Sequence, residues 1–256
     1  QLLQRWTDAE GEEVAEPQEL GLGQMEPPSP AELDRDLAGW LARREGALTV
    51  VFEADTGRAV DAKLIGVELS RGGDRVYVPV GHDDGGADEG KVLDALRPLL
   101  EDPSVSKRSA NAKLVTGMAL ARGIVVKGWT FDSGLASYLF DPDQSAHDPR
   151  GIGERFFGLD VADRTRLLRK DRKRRPLSAA EPSGMLPYAG EVLAVVDASA
   201  ERMPESLEEH GLSSVLEDVE LPLVSVLARM ELAGIRVDGE RLAQLGEVFS
   251  VELERL

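Results

Sequence analysis

Three short apolar runs lying close together constrain the fold more than any other feature. They are ALTVVFE (47–53), KLIGVELS (63–70) and DRVYVPV (74–80), rich in β-branched and aromatic residues. Gly72-Gly73 separates the second from the third and suits a two-residue hairpin turn, which needs φ > 0. Such links are too short for helical crossovers, so an antiparallel meander is expected. Further on, Val92, Leu93, Leu96, Leu99 and Leu100 recur at helical spacing and predict a helix over 90–101. A short strand is expected in 104–110, a helix from Asn111 to Arg122 stopping at Gly123, and a strand in IVVKGW (124–129). Asp132 then caps a helix running through Leu135, Tyr138 and Leu139, with Trp129 and Tyr138 read as core. The order βββαβαβα gives the α/β class, a mixed sheet flanked by helices.

Outside this stretch the signals are local. Residues 1–28 read as an acidic linker, with a short helix at Leu2–Trp6. Ser29-Pro30-Ala31-Glu32 has the form of a capping box and predicts a helix carrying Leu33, Leu37, Trp40 and Leu41. Asp148-Pro149 predicts a short helix through Phe156. Longer helices are expected over Leu186–Met203, over Glu217–Ala233 with Gly234 as a left-handed cap, and from 239 to the chain end.

Composition narrows the setting. The 256 residues are 42% hydrophobic, enough for one large domain or a domain and part of another. No window suits a membrane span, no signal segment precedes the first strand, and there is no cysteine. These features predict a soluble, cytoplasmic chain without disulfides or thiolate metal sites, and a piece of something longer. A net charge of −17 repels a polyanion over most of the surface. The exception is 163–176, DRTRLLRKDRKRRP. Arg164, Arg166, Arg169, Lys170, Arg172, Lys173, Arg174 and Arg175 are candidates for phosphate contact; a solvated loop is the plainer reading. His82, His147 and His210 are scattered and read as structural or surface.

One stretch is more specific. VELPLVSVLARMELAGIRVD (219–238) resembles the segment opening the polymerase domain of bacterial DNA polymerase I. In order before it, KRSANAKLVTGMALARGIVVKG (107–128), FDSGLASYLFDP (131–142) and AHDPRGIGERFFG (146–158) resemble motifs of the same family. The resemblance implies an RNase H-like 3′–5′ exonuclease domain over 29–213 and the thumb base of a polymerase domain over 214–256. An upstream 5′-nuclease domain would fit the same family.

In active members of that family, four carboxylates hold two divalent cations and a tyrosine orients the attacking water. Two hard cations about 4 Å apart stabilise the added negative charge and generate hydroxide. The resemblance places these positions at Glu53 and Asp55 (a D-x-E motif with its acids exchanged), at Val115 (the acid of N-x-K-x-D), and at Leu193 and Asp197 (a Y-x-x-x-D motif without its tyrosine). One acid is replaced by valine and the hydroxyl is absent, so no metal is expected here. The first expectation is an inactive, scaffolding exonuclease-like domain. Its parent would synthesise DNA on a template with Mg²⁺ and dNTPs, meeting DNA through the polymerase domain. A residual metal-dependent exonuclease using Glu53, Asp55 and Asp197 is the rival, and a free-standing interaction module is the third reading.

Overall fold

The computed structural model describes residues 22–33, 37–42, 45–164, 168–170 and 173–255. At its centre a six-stranded sheet runs in the order β1-β4-β3-β2-β5-β6. The strands are β1 (Glu32–Leu33), β2 (Leu48–Ala54), β3 (Leu64–Arg71), β4 (Asp74–Pro79), β5 (Lys107–Ser109) and β6 (Trp129–Asp132). β2, β3 and β4 form the expected meander, closed at Gly72 (φ 61°) and Gly73 (φ 87°). β5 pairs parallel to β2 and β6 parallel to β5, and β1 pairs parallel to β4. The sheet is therefore mixed.

Helices cover both faces. Leu48, Val50 and Phe52 of β2 point to one face, where they share a core with α1 (Leu37–Ala42), α2 (Glu89–Glu101) and α3 (Ala112–Leu120). Thr49, Val51 and Glu53 point to the other by the alternation of a strand. That face lies under α6 (Pro182–Glu209), with α4 (Ser133–Phe140) and α5 (Pro149–Phe157) beside it. The strands β7 (Arg169–Lys170) and β8 (Lys173–Arg174) form a separate two-stranded ribbon. Last come α7 (Leu221–Ala233), preceded by a π-type turn at Leu216–Glu220, and α8 (Gly239–Arg255).

The structure corrects the sequence reading at several elements. Ser29–Ala31 start no helix: the Ala31 N–H donates to Leu186 O at 2.9 Å, and Glu32-Leu33 join the sheet edge beside Val76 and Tyr77. This segment crosses α6 at Gly190, where a Cβ would lie 2.6 Å from Ser29 O. The strand expected at 124–129 begins only at Trp129; Ile124 and Val126 are buried from irregular backbone instead. α6 extends beyond the predicted helix at both ends. Gly234 has φ 65° but ψ −173°, so it ends α7 in a glycine-specific conformation and not as a left-handed cap. Tyr138 is exposed, edge-on to His147. The helix expected at Leu2–Trp6 lies outside the described residues, and no helix among them is long and apolar enough to cross a membrane.

Candidate nuclease cleft

A cleft of about 970 Å³ opens at the C-terminal end of β2. Glu53 and Asp55 line it, together with Asn111 and Leu114 at the start of α3, Arg150 of α5, Arg164 and Arg175 around the ribbon, and Tyr188 and Val192 of α6. The two acids have different surroundings. The β2–β3 register slips between Glu53 and Ala54. The residue skipped is Ile65 of β3, and β2 itself ends at Ala54, so Asp55 lies just past the strand. Glu53 is buried, whereas Asp55 is exposed and accepts the Lys63 N–H at 2.9 Å across the loop. Strand alternation predicts two carboxylates side by side; that pairing is absent because Asp55 lies past the end of β2.

Glu53 lies in a buried polar cluster. Its Oε2 is 3.0 Å from a terminal nitrogen of Arg164, which also donates to Ala54 O at 2.7 Å. Glu68, on β3, shares this face of the sheet and is fully buried. No N–H or hydroxyl among the described residues donates to either of its oxygens, and its polar neighbour is the Glu53 carboxyl. Burial, and next the charge of Glu53, raise the Glu68 carboxyl well above its usual range. Burial also raises Glu53, and Arg164 opposes that shift. Such a pair is most stable with one shared proton, Glu53 carrying the charge toward Arg164. Tyr77 stands opposite Glu68 on β4. Its hydroxyl is 2.6 Å from His82 Nε2, while His82 Nδ1 is 2.7 Å from Ala180 O. Tyr77 reaches over Gly66, where a Cβ would meet the phenol at 2.1 Å, so a glycine is required there.

The third acid position holds Val115, 1% exposed and part of the core between sheet and helices. For the fourth position and the tyrosine, the structure changes the register. α6 runs antiparallel to β2: Asp197 meets Thr49, while Tyr188 and Val192 meet the Glu53 end. Nine helical residues and four strand residues both span about 13 Å. Asp197 is thus remote from the cleft. It accepts Thr49 Oγ1 at 2.6 Å and Ser70 Oγ at 2.7 Å, and lies 3.5 Å from Arg75. Leu193 is fully buried, about 100° around the helix from Val192. The i,i+4 pair facing the cleft is Tyr188 and Val192. The signal was in the sequence as Tyr188-Ala189-Gly190-Glu191-Val192. Matching on the acid obscured it, because the tyrosine remains and the acid is lost.

Taken together, the four positions where the resemblance expects an acid carry one buried and ion-paired glutamate, one exposed aspartate and two valines. Two hard divalent cations require more oxygen ligands than this set offers. Among the described residues no group of three or more His, Asp or Glu is arranged to hold a metal ion.

The remaining candidates are also placed. Asp132 is buried and caps two helices, accepting Ala112 N–H at 2.5 Å and Leu135 N–H at 3.0 Å; burial raises its carboxyl and these donors oppose the shift. His147 Nδ1 is 3.0 Å from Ser137 Oγ, which accepts from Arg155, and His210 Nδ1 is 2.7 Å from Ser206 O. These are structural roles. Of the basic run, Arg164 is committed to Glu53 and is not free for a phosphate. Arg169, Lys170, Lys173 and Arg174 occupy the ribbon, and Arg166 and Arg172 lie outside the described residues.

Comparison with known proteins matches residues 50–174 to the family described as DNA polymerase I, ribonuclease H-like domain. Residues 50–174 belong to that family. DNA polymerase I of Pseudomonas aeruginosa is 33% identical over 91% of this chain, and the chain spans 28% of that protein's length. A solved structure of the POL domain of Pol1 from M. smegmatis, in complex with DNA primer-template and dNTP, superposes with a TM-score of 0.63 at 26% identity. It covers 91% of this chain, and 36% of the M. smegmatis chain is matched. A structure described as the apo form of a nuclease superposes with a TM-score of 0.60 at 18% identity, over 80% of this chain and 95% of the other. That likeness is one of fold, and the family description names the domain ribonuclease H-like.

Proposed function

We propose that this chain is part of a DNA polymerase I whose exonuclease-like domain, over 29–213, is a scaffold without hydrolytic activity, and that residues 214–256 begin the polymerase domain. The single observation that carries this reading is the pair of valines at two of the four positions where the resemblance expects an acid, Val192 lining the cleft and Val115 buried in the core beside it. The scaffolding role rests on packing. α7 lies against α3, burying Val224 and Ala228, with Lys113 Nζ 2.6 Å from Glu231. Positions around the former metal motif of α3 thus anchor the helix that follows.

The parent would extend a primer on a template with dNTPs and Mg²⁺, as a soluble monomer, through residues beyond this chain. The ribbon is the candidate DNA contact. Its cross-strand partners are Arg169 with Arg174 and Lys170 with Lys173. Its four residues are all basic, the chemistry that meets phosphates.

Incubation with a 5′-labelled single strand in Mg²⁺ or Mn²⁺ tests the nuclease question. The strand should remain at full length. A ladder of shorter products that disappears in Asp55→Ala would refute the scaffold reading and establish a residual exonuclease.

A further inference from the structure

The family's chemistry puts divalent cations beside the acid at position 53, and this chain puts a guanidinium there. We propose that Arg164 is a resident cation: it occupies the charge position that a metal ion would fill at Glu53, and so holds the carboxylate pocket closed to divalent ions. Three observations support this. Arg164 reaches Glu53 Oε2 at 3.0 Å and Ala54 O at 2.7 Å, so it grips both the side chain and the backbone at the end of β2. Glu53 is 5% exposed and Glu68 fully buried, so the anion has little water to stabilise it. A buried carboxylate needs a close positive partner. Of the other cleft cations, Arg150 is 3.7 Å from Asp163.

The proposal rests on the scaffold reading of the cleft, and its test is separate from the test of that reading. It concerns what compensates Glu53, and its readout is stability, whereas the scaffold reading is judged by cleavage of a labelled strand. The arginine is also preferable to a lysine on geometric grounds. Its planar fork serves a carboxylate and a carbonyl together, and it cannot deprotonate.

Thermal melts of the full chain test it, using wild type, Arg164→Met, Arg164→Lys, Glu53→Gln and the double variant Glu53→Gln/Arg164→Met, each in EDTA and in 1 mM Mn²⁺. Arg164→Met should lower Tm by about 4–8 °C, because it leaves a buried carboxylate uncompensated. Arg164→Lys should recover part of the loss, and the double variant should recover most of it. If Arg164→Met does not fold, the double variant still reports: folding near the wild-type Tm supports the proposal. Wild type should melt at the same temperature, within about 1 °C, in EDTA and in Mn²⁺. Three results would each overturn the proposal. One is an Arg164→Met protein as stable as wild type. Another is a double variant no more stable than Arg164→Met. The third is a Mn²⁺-dependent rise in wild-type Tm that Glu53→Gln abolishes.

Discussion

Replacing Asp197 by alanine separates a structural acid from a catalytic one. Asp197 is the residue that motif matching would place at a metal, and the structure gives it other partners. Its two oxygens accept the hydroxyls of Thr49 and Ser70, which are 1% and 4% exposed. It also lies 3.5 Å from Arg75. A hydrogen bond to a charged group contributes roughly 1.5–3 kcal/mol. The two bonds share one carboxylate, so their contributions are not additive. The ion pair is partly exposed and adds roughly 0–1 kcal/mol. Asp197→Ala should therefore cost about 3 kcal/mol, part of it from leaving two buried hydroxyls unsatisfied. For a protein of this size that corresponds to a fall of roughly 6–12 °C in Tm. Asp197→Asn keeps an acceptor of the same shape and should lose about half as much. Urea unfolding followed by circular dichroism reads both variants, with the slope checked for constancy. A change below about 0.5 kcal/mol in Asp197→Ala, within the range of an ordinary surface substitution, would refute the structural role assigned to this residue.

Two other substitutions follow from the same face of the sheet. A carboxyl raised above its ordinary value of 4.5 by burial binds a proton more tightly when folded. Stability is then full below that value and declines as pH rises toward the folded value. Glu68→Gln should remove this decline and raise the urea midpoint at pH 7 to 8 relative to wild type; parallel pH profiles for the two proteins would contradict it. Gly190→Ala should destabilise by about 1–3 kcal/mol, because its Cβ would press on Ser29 O and Ala31 N at 2.6 and 2.8 Å. Limited proteolysis should then cut the 22–33 segment faster, and unchanged cutting would show that the segment is not held at that crossing.

The meander was legible because alternation, β-branching and the Gly72-Gly73 turn all agree on it. The helices opened by Asp132 and Asp148 were legible because a cap is a local signal. Where reading failed, the cause was tertiary. Ser29-Pro30-Ala31-Glu32 satisfies a capping rule, but a sheet edge and the groove at Gly190 draw this segment into extended backbone. Residues 124–128 look like a strand because Ile124 and Val126 alternate, yet they fill the core without a neighbouring strand. Within the cleft, Glu53 and Asp55 were visible as a motif. Their separation was not, because where β2 ends depends on its partner strand. Glu68 was missed as a site residue, and Arg164 was read as a phosphate contact and not as the partner of Glu53, since pairing over such sequence distances leaves no local trace. The Tyr188–Val192 face was readable only by letting the acid vary, and Asp197 offered a false match one helical turn and more away.

Calorimetric titration of Mn²⁺ into the full chain tests the central claim most directly, that this cleft no longer takes divalent metal. The account predicts only heats of dilution up to millimolar Mn²⁺, the same for wild type and Glu53→Gln. Saturable binding at micromolar Mn²⁺ that Glu53→Gln abolishes would show that the cleft still holds metal, and would contradict the account.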